Sequence, residues 1–168
     1  DNGSGRQDLV CNMSYTIYLS DNSIYTTGTV SLVFTNNSKG EFTAKPTVLS
    51  SSNILAVGNL TGDAKAEQVT KDRQKLKIKL GHNSTTLTTP QYNYSIGNAW
   101  IAKTKADGTQ EIITTHQDGT NYYVSLTGVT NSNATIKGYY QLGIVPTNII
   151  TGDFNNDGFI DILISDGE

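Results

Sequence analysis

Asp153, Asn155, Asp157 and Asp161 set oxygen-bearing side chains at alternate positions and then close the set beyond Gly158, in the string GDFNNDGFIDILIS. Calcium takes about six to eight hard oxygens at roughly 2.3–2.6 Å, so a chain that holds it must aim alternate side chains inward while the backbone turns sharply. This string meets both demands. Gly158 supplies the unusual backbone conformation, the carbonyl of Phe159 is placed to give one oxygen, and Asp161 closes the shell. An EF-hand is the obvious rival, but its ring ends on a Glu at position twelve and is flanked by helices. Counted from Asp153 that position is Ile164, and Ile162-Leu163-Ile164 reads as a strand.

The string repeats along the chain. With Gly152 laid on Gly58, Asp153, Asn155, Asp157 and Asp161 meet Asn59, Thr61, Asp63 and Glu67, with Lys65 at the carbonyl position. The opening residues fit the same frame through Asn2, Ser4, Arg6 and Asp8, with the first ligand position falling before Asp1. A further copy places Asp107-Gly108 on Asp157-Gly158 and Glu111 on Asp161. Its first two ligand positions carry Lys103 and Lys105, whose ammonium groups repel a divalent ion at close range. A Lys amine standing in the cation's place would preserve that turn without metal. The Asn59–Glu67 copy keeps four oxygens but has Ala64 where Gly158 stands, which makes it a weak calcium site.

The elements that must position these loops are strands. Apolar residues alternate in Tyr15-Ile17-Leu19, Leu76-Ile78-Leu80 and Tyr122-Val124-Leu126, and Asp118-Gly119 and similar clusters punctuate them. After each of the first three loops a short apolar strand, a turn and an alternating strand are expected; Leu9-Val10-Cys11 followed by Tyr15 to Leu19 is one case. No window carries a capped helical stripe, so an all-β chain is expected. The period of about forty-five to sixty residues matches one four-stranded propeller blade with its connections.

On these motifs the chain resembles the FG-GAP or VCBS repeats of integrin-like β-propellers, in which a D-x-N-x-D-G-x-x-D loop leads into an apolar strand. The resemblance implies β-propeller blades of four antiparallel strands, about three of them plus the start of a fourth, with approximate units 1–57, 58–101, 102–151 and 152–168. It implies a segment of a larger propeller that packs against further blades of the same parent protein or against copies of itself. It also implies structural Ca²⁺, and a secreted or cell-surface location.

Composition narrows the function. A net charge of −3 leaves no basic face for nucleic acid, and no run of about twenty apolar residues spans a bilayer. Cys11 is the single cysteine, which excludes an intrachain disulfide framework and a Cys-based zinc site. His82 and His116 are the two histidines; they fall near turns of separate repeats with no nucleophile motif beside them, so no catalysis is expected. A module that binds an extracellular protein or glycan is the leading expectation, with Trp100, Tyr92, Tyr94, Tyr139 and Tyr140 as candidate contacts because aromatic faces stack on sugars and anchor interfaces. A structural segment of a secreted bacterial toxin is the alternative, and a polysaccharide-lyase propeller a more distant one.

Overall fold

The computed structural model describes residues 9–36, 39, 41–42, 47–50, 54–63, 65–105 and 107–167, and among them every regular element is a strand. The chain divides into two compact units after Ile54. The first holds β1 (Leu9–Tyr18), β2 (Ile24–Phe34) and β3 (Thr47–Ser50), paired in that order. The second holds β4 (Ile54–Gly58), β5 (Glu67–Asp72), β6 (Lys75–Lys79) and β7 (Thr86–Thr88) as one sheet. It continues with β8 (Ser95–Lys103), β9 (Gln110–Asp118), β10 (Asn121–Val129) and β11 (Ala134–Leu142) as another, and with the pair β12 (Asn148–Gly152) and β13 (Asp161–Ser165). The four sheets are antiparallel, their neighbours follow chain order, and none closes on itself. No helix among the described residues is long and apolar enough to cross a membrane.

The expected break after Cys11 is absent. β1 runs unbroken because Leu9 through Ile17 pair residue for residue with Phe34 back to Thr26, which keeps Asn12-Met13-Ser14 extended. Inside this unit Asn12 and Ser31 tie the sheet to the unit's last residue, Ile54. The Ser31 hydroxyl donates to Asn12 Oδ1 at 2.5 Å, Ile54 N–H donates to Ser31 Oγ at 3.1 Å, and Asn12 Nδ2 donates to the Ile54 carbonyl at 2.6 Å.

In the second unit the core is built by strand alternation. Side chains leave a strand on opposite faces in turn, so a sheet covered on both sides must be apolar at consecutive positions. β9 is covered on both sides: Glu111 through His116 are all buried, with Ile112 and Ile113 as consecutive apolar positions. Ile112 packs with Val69, Leu76 and Ile78 of the β4–β7 sheet, whereas its neighbour Ile113 packs with Val124, Ile149, Ile162 and Ile164 on the far side. Burial of either isoleucine contributes about 2–3 kcal/mol. The β8–β11 sheet thus lies between the other two, and this stack carries the three loops described next.

Candidate metal centres

Each loop joins the first two strands of a sheet: residues 59–66 lie between β4 and β5, 104–109 between β8 and β9, and 153–160 between β12 and β13. All three are wired alike. The closing carboxylate bonds to a donor seven residues earlier, Leu60 N–H to Glu67 Oε2 at 2.6 Å, the Thr104 hydroxyl to Glu111 Oε2 at 2.5 Å, and Phe154 N–H to Asp161 Oδ2 at 3.1 Å. The middle aspartate accepts the N–H two residues on: Lys65 to Asp63 at 3.0 Å, Thr109 to Asp107 at 2.8 Å, Phe159 to Asp157 at 2.8 Å. Gly108 and Gly158 share a φ of +83° and +87°, which a side chain adopts only with strain. Gly158→Ala is therefore expected to cost about 1 kcal/mol in a urea titration.

The loops differ in what faces the acids. At 153–160 the donor set is all oxygen and open to solvent. Asp153 accepts N–H bonds from Asp157 and Gly158 at 3.0 and 2.9 Å, Asn155 Oδ1 accepts the Asp157 N–H at 3.1 Å, and Asn155 Nδ2 donates to Asp157 Oδ2 at 2.9 Å. Asp153, Asn155 and Asp157 therefore share one small net of bonds, Asp161 is tied to the start of the same loop through the Phe154 N–H, and by donor type the four fit a hard divalent ion.

At 59–67, Asn59 Oδ1 accepts the Gly62 N–H at 2.7 Å, and Glu67, wholly buried, also accepts from the Thr61 hydroxyl and Gly81 N–H at 3.3 Å. His82 enters from the turn after β6 and sets Nδ1 2.8 Å from Asp63 Oδ2. Ligand atoms of Asp63, Glu67 and His82 all lie within 4.8 Å of one another, a mixed nitrogen and oxygen set that suits a transition ion better than calcium. At 104–111 the cation is a lysine: Lys137, from β11, pairs with the buried carboxylate of Glu111. Burial pushes the Glu111 carboxyl up, but the bonds from Lys137 and Thr104 and the charges of Lys137 and Lys105 outweigh it and hold the carboxyl below its ordinary value. Neither Lys103 nor Lys105 makes the contact; Lys137 does, over Gly128, where a Cβ would meet the lysine's Cε at 3.0 Å.

His82 and Lys137 carried no local sign in the sequence, since each reaches its acid through a later strand or turn of the same sheet. Asn2, Ser4, Arg6 and Asp8 lie outside the described residues, as does Ala64.

The candidate contact aromatics separate. Tyr92 is 1% exposed with its hydroxyl 2.7 Å from Thr127 Oγ1, so it packs the core and offers no face. Tyr139 meets Tyr92 edge-on and Tyr94 edge-on, with centroids at 6.4 and 5.3 Å, and Tyr94 stacks on Tyr123 at 4.2 Å. Trp100 packs on the opposite face with Ile113 and its neighbours. Tyr140 is exposed. Comparison with protein-family models, with curated proteins and with solved structures finds no match, so the functional reading rests on this geometry.

Proposed function

We propose that the chain is a segment of an FG-GAP-like β-propeller from an extracellular or cell-surface protein, stabilised by calcium at Asp153–Asp161, that acts by binding a protein or glycan and has no catalytic activity of its own. The observation that carries the reading is the common wiring of three loops, each between the first and second strands of sheets stacked face to face in chain order. Chance Asx-rich turns have no reason to bond the closing acid to the same position, seven residues back, in all three cases. Asp153, Asn155, Asp157, Asp161 and the Phe159 carbonyl would hold the ion, whose chemistry is to fix the entry to β13. Tyr140, with the half-buried Tyr94 and Tyr139, is what remains of the aromatic set for ligand contact.

Calorimetric titration with calcium tests the metal. One site per chain is expected in the unaltered protein, and Asp157→Ala should weaken it by at least about tenfold, because one of three charged ligands is removed. Absence of calcium heat in the unaltered chain at millimolar ion would overturn the assignment.

A further inference from the structure

The two buried closing acids are not equally neutralised. Glu111 has the Lys137 ammonium against it. Glu67 stands at the same position in its loop and is 0% exposed, but its three donors, Leu60 N–H, the Thr61 hydroxyl and Gly81 N–H, are neutral. Among the described residues no lysine or arginine pairs with it. A buried carboxylate is costly without a cation, so this position calls for a positive charge from elsewhere. Where the sister loop receives a lysine, the fold brings His82. Leu80, 1% exposed, anchors the turn after β6 in the core, and bonds from Leu80 N–H to the Thr85 carbonyl at 2.7 Å and from Ser84 N–H to the Leu80 carbonyl at 3.1 Å close that turn. Gly81 lies so near the loop that a Cβ there would meet the Ala66 carbonyl oxygen at 2.7 Å, so the turn sits directly on the residue before Glu67. This approach carries His82 Nδ1 to 2.8 Å from Asp63 Oδ2, while Asp63 Oδ1 takes the Lys65 N–H. Glu67 accepts its short bond on Oε2 and two 3.3 Å bonds on Oε1, which leaves Oε1 the oxygen with capacity for a further partner.

We propose that Asp63, Glu67 and His82 hold one divalent transition ion of zinc type, which supplies the cation that Glu67 lacks and clips the turn after β6 to the 59–66 loop. Two carboxylates balance the charge of a divalent ion, and an imidazole nitrogen selects a transition ion over calcium, which takes oxygens. Ligands that share one tetrahedral zinc stand about 3.3 Å apart, given bonds of about 2.0–2.2 Å. The three ligand atoms already lie within 4.8 Å of one another, so the most separated pair closes by about 1.5 Å and the Asp63–His82 pair opens by about 0.5 Å. The Asp63 and His82 side chains, 27 and 30% exposed, give the ion a way in and leave the fourth position to water. Nδ1 turns its lone pair to the metal, and the imidazole keeps its proton on Nε2. The site needs neither the propeller reading nor an ion at Asp153–Asp161.

Calorimetric titration of the whole, chelator-treated chain with zinc sulfate tests it, run in millimolar calcium so that a calcium loop is already filled. One zinc site per chain is expected. His82→Gln and Asp63→Asn alter partly exposed side chains, and Asp63→Asn keeps an oxygen for the Lys65 N–H; each should weaken zinc binding by at least about tenfold. Zinc should raise the thermal midpoint of the unaltered chain and leave that of His82→Gln where it was. Cobalt in zinc's place should give the visible absorption of a four-coordinate ion, which His82→Gln should lose. Asp157→Ala should bind zinc as the unaltered chain does, so a failed calcium assignment leaves this result standing. Absence of zinc heat at about 0.1 mM ion, unchanged zinc affinity in His82→Gln, or zinc lost in Asp157→Ala but kept in the other two variants would each overturn the proposal.

Discussion

Acidification from pH 6.5 towards 5 is expected to remove about 2 kcal/mol of stability through His116 alone. The residue is 1% exposed in β9, its Nε2 lies 2.7 Å from Ser125 Oγ, and Tyr92 and Tyr139 rings stand 5.0 and 5.4 Å away. Burial disfavours the charged imidazolium and lowers the pKa from 6.5 to about 4, against a weaker opposing pull from the backbone of Tyr94 and Ser95. The unfolded chain therefore takes up the proton first. Stability is fully present above about 6.5 and drains away as the pH falls towards about 4. Most of that loss precedes the protonation of carboxylates, so urea midpoints at about pH 7 and about pH 5 isolate it. His116→Gln, which keeps a polar group beside Ser125, should flatten the difference. Equal midpoints for the unaltered chain at the two pH values would show that the imidazole is not kept neutral by burial.

This histidine also marks where sequence reading stops. Its position near Asp118-Gly119 suggests a solvated turn residue, yet β9 runs as far as Asp118 and lies between two other sheets, which places His116 in the interior. What is legible in a sequence is local. Alternating oxygens, the Gly after the third ligand position and a closing acid constrain consecutive residues, so the frame appears as a repeat, and the alternating strands that follow it show the all-β class. The sheets themselves begin one strand before each loop: β4, β8 and β12 pair with the strand that follows. Those leading strands share no motif, and repeat boundaries drawn at the acids are displaced from the sheet boundaries by that strand. Residues brought in across a sheet are the least legible. Asp63 gains His82, and Glu111 gains Lys137 from twenty-six residues downstream, through pairings that no local spacing records.

Replacement of Lys137 by Met should destabilise the protein by about 2 kcal/mol at neutral pH, since it keeps the apolar stem and leaves a buried carboxylate without its cation. Glu111 is 3% exposed, and the Thr104 hydroxyl that also donates to it neutralises no charge. The pH dependence separates this from a packing defect. In the unaltered chain the Glu111 carboxyl lies below 4.5, so the stability it contributes is present above that value and is lost as the pH falls through the depressed one. Without Lys137 burial becomes dominant and raises the carboxyl, which then takes up a proton at higher pH and sheds its uncompensated charge. The gap between variant and parent should therefore be widest near neutrality and should close as the solution is acidified. Glu111→Gln combined with Lys137→Met removes both charges, and the pair should recover most of the lost stability, because a neutral amide can keep the bond from Thr104. A deficit equal at all pH values, or a double variant no better than Lys137→Met, would mean that Lys137 acts through its stem alone. Recovery in the double variant would establish that this loop holds its shape with an internal ammonium, in the frame where the Asp153–Asp161 loop carries three acids and no lysine.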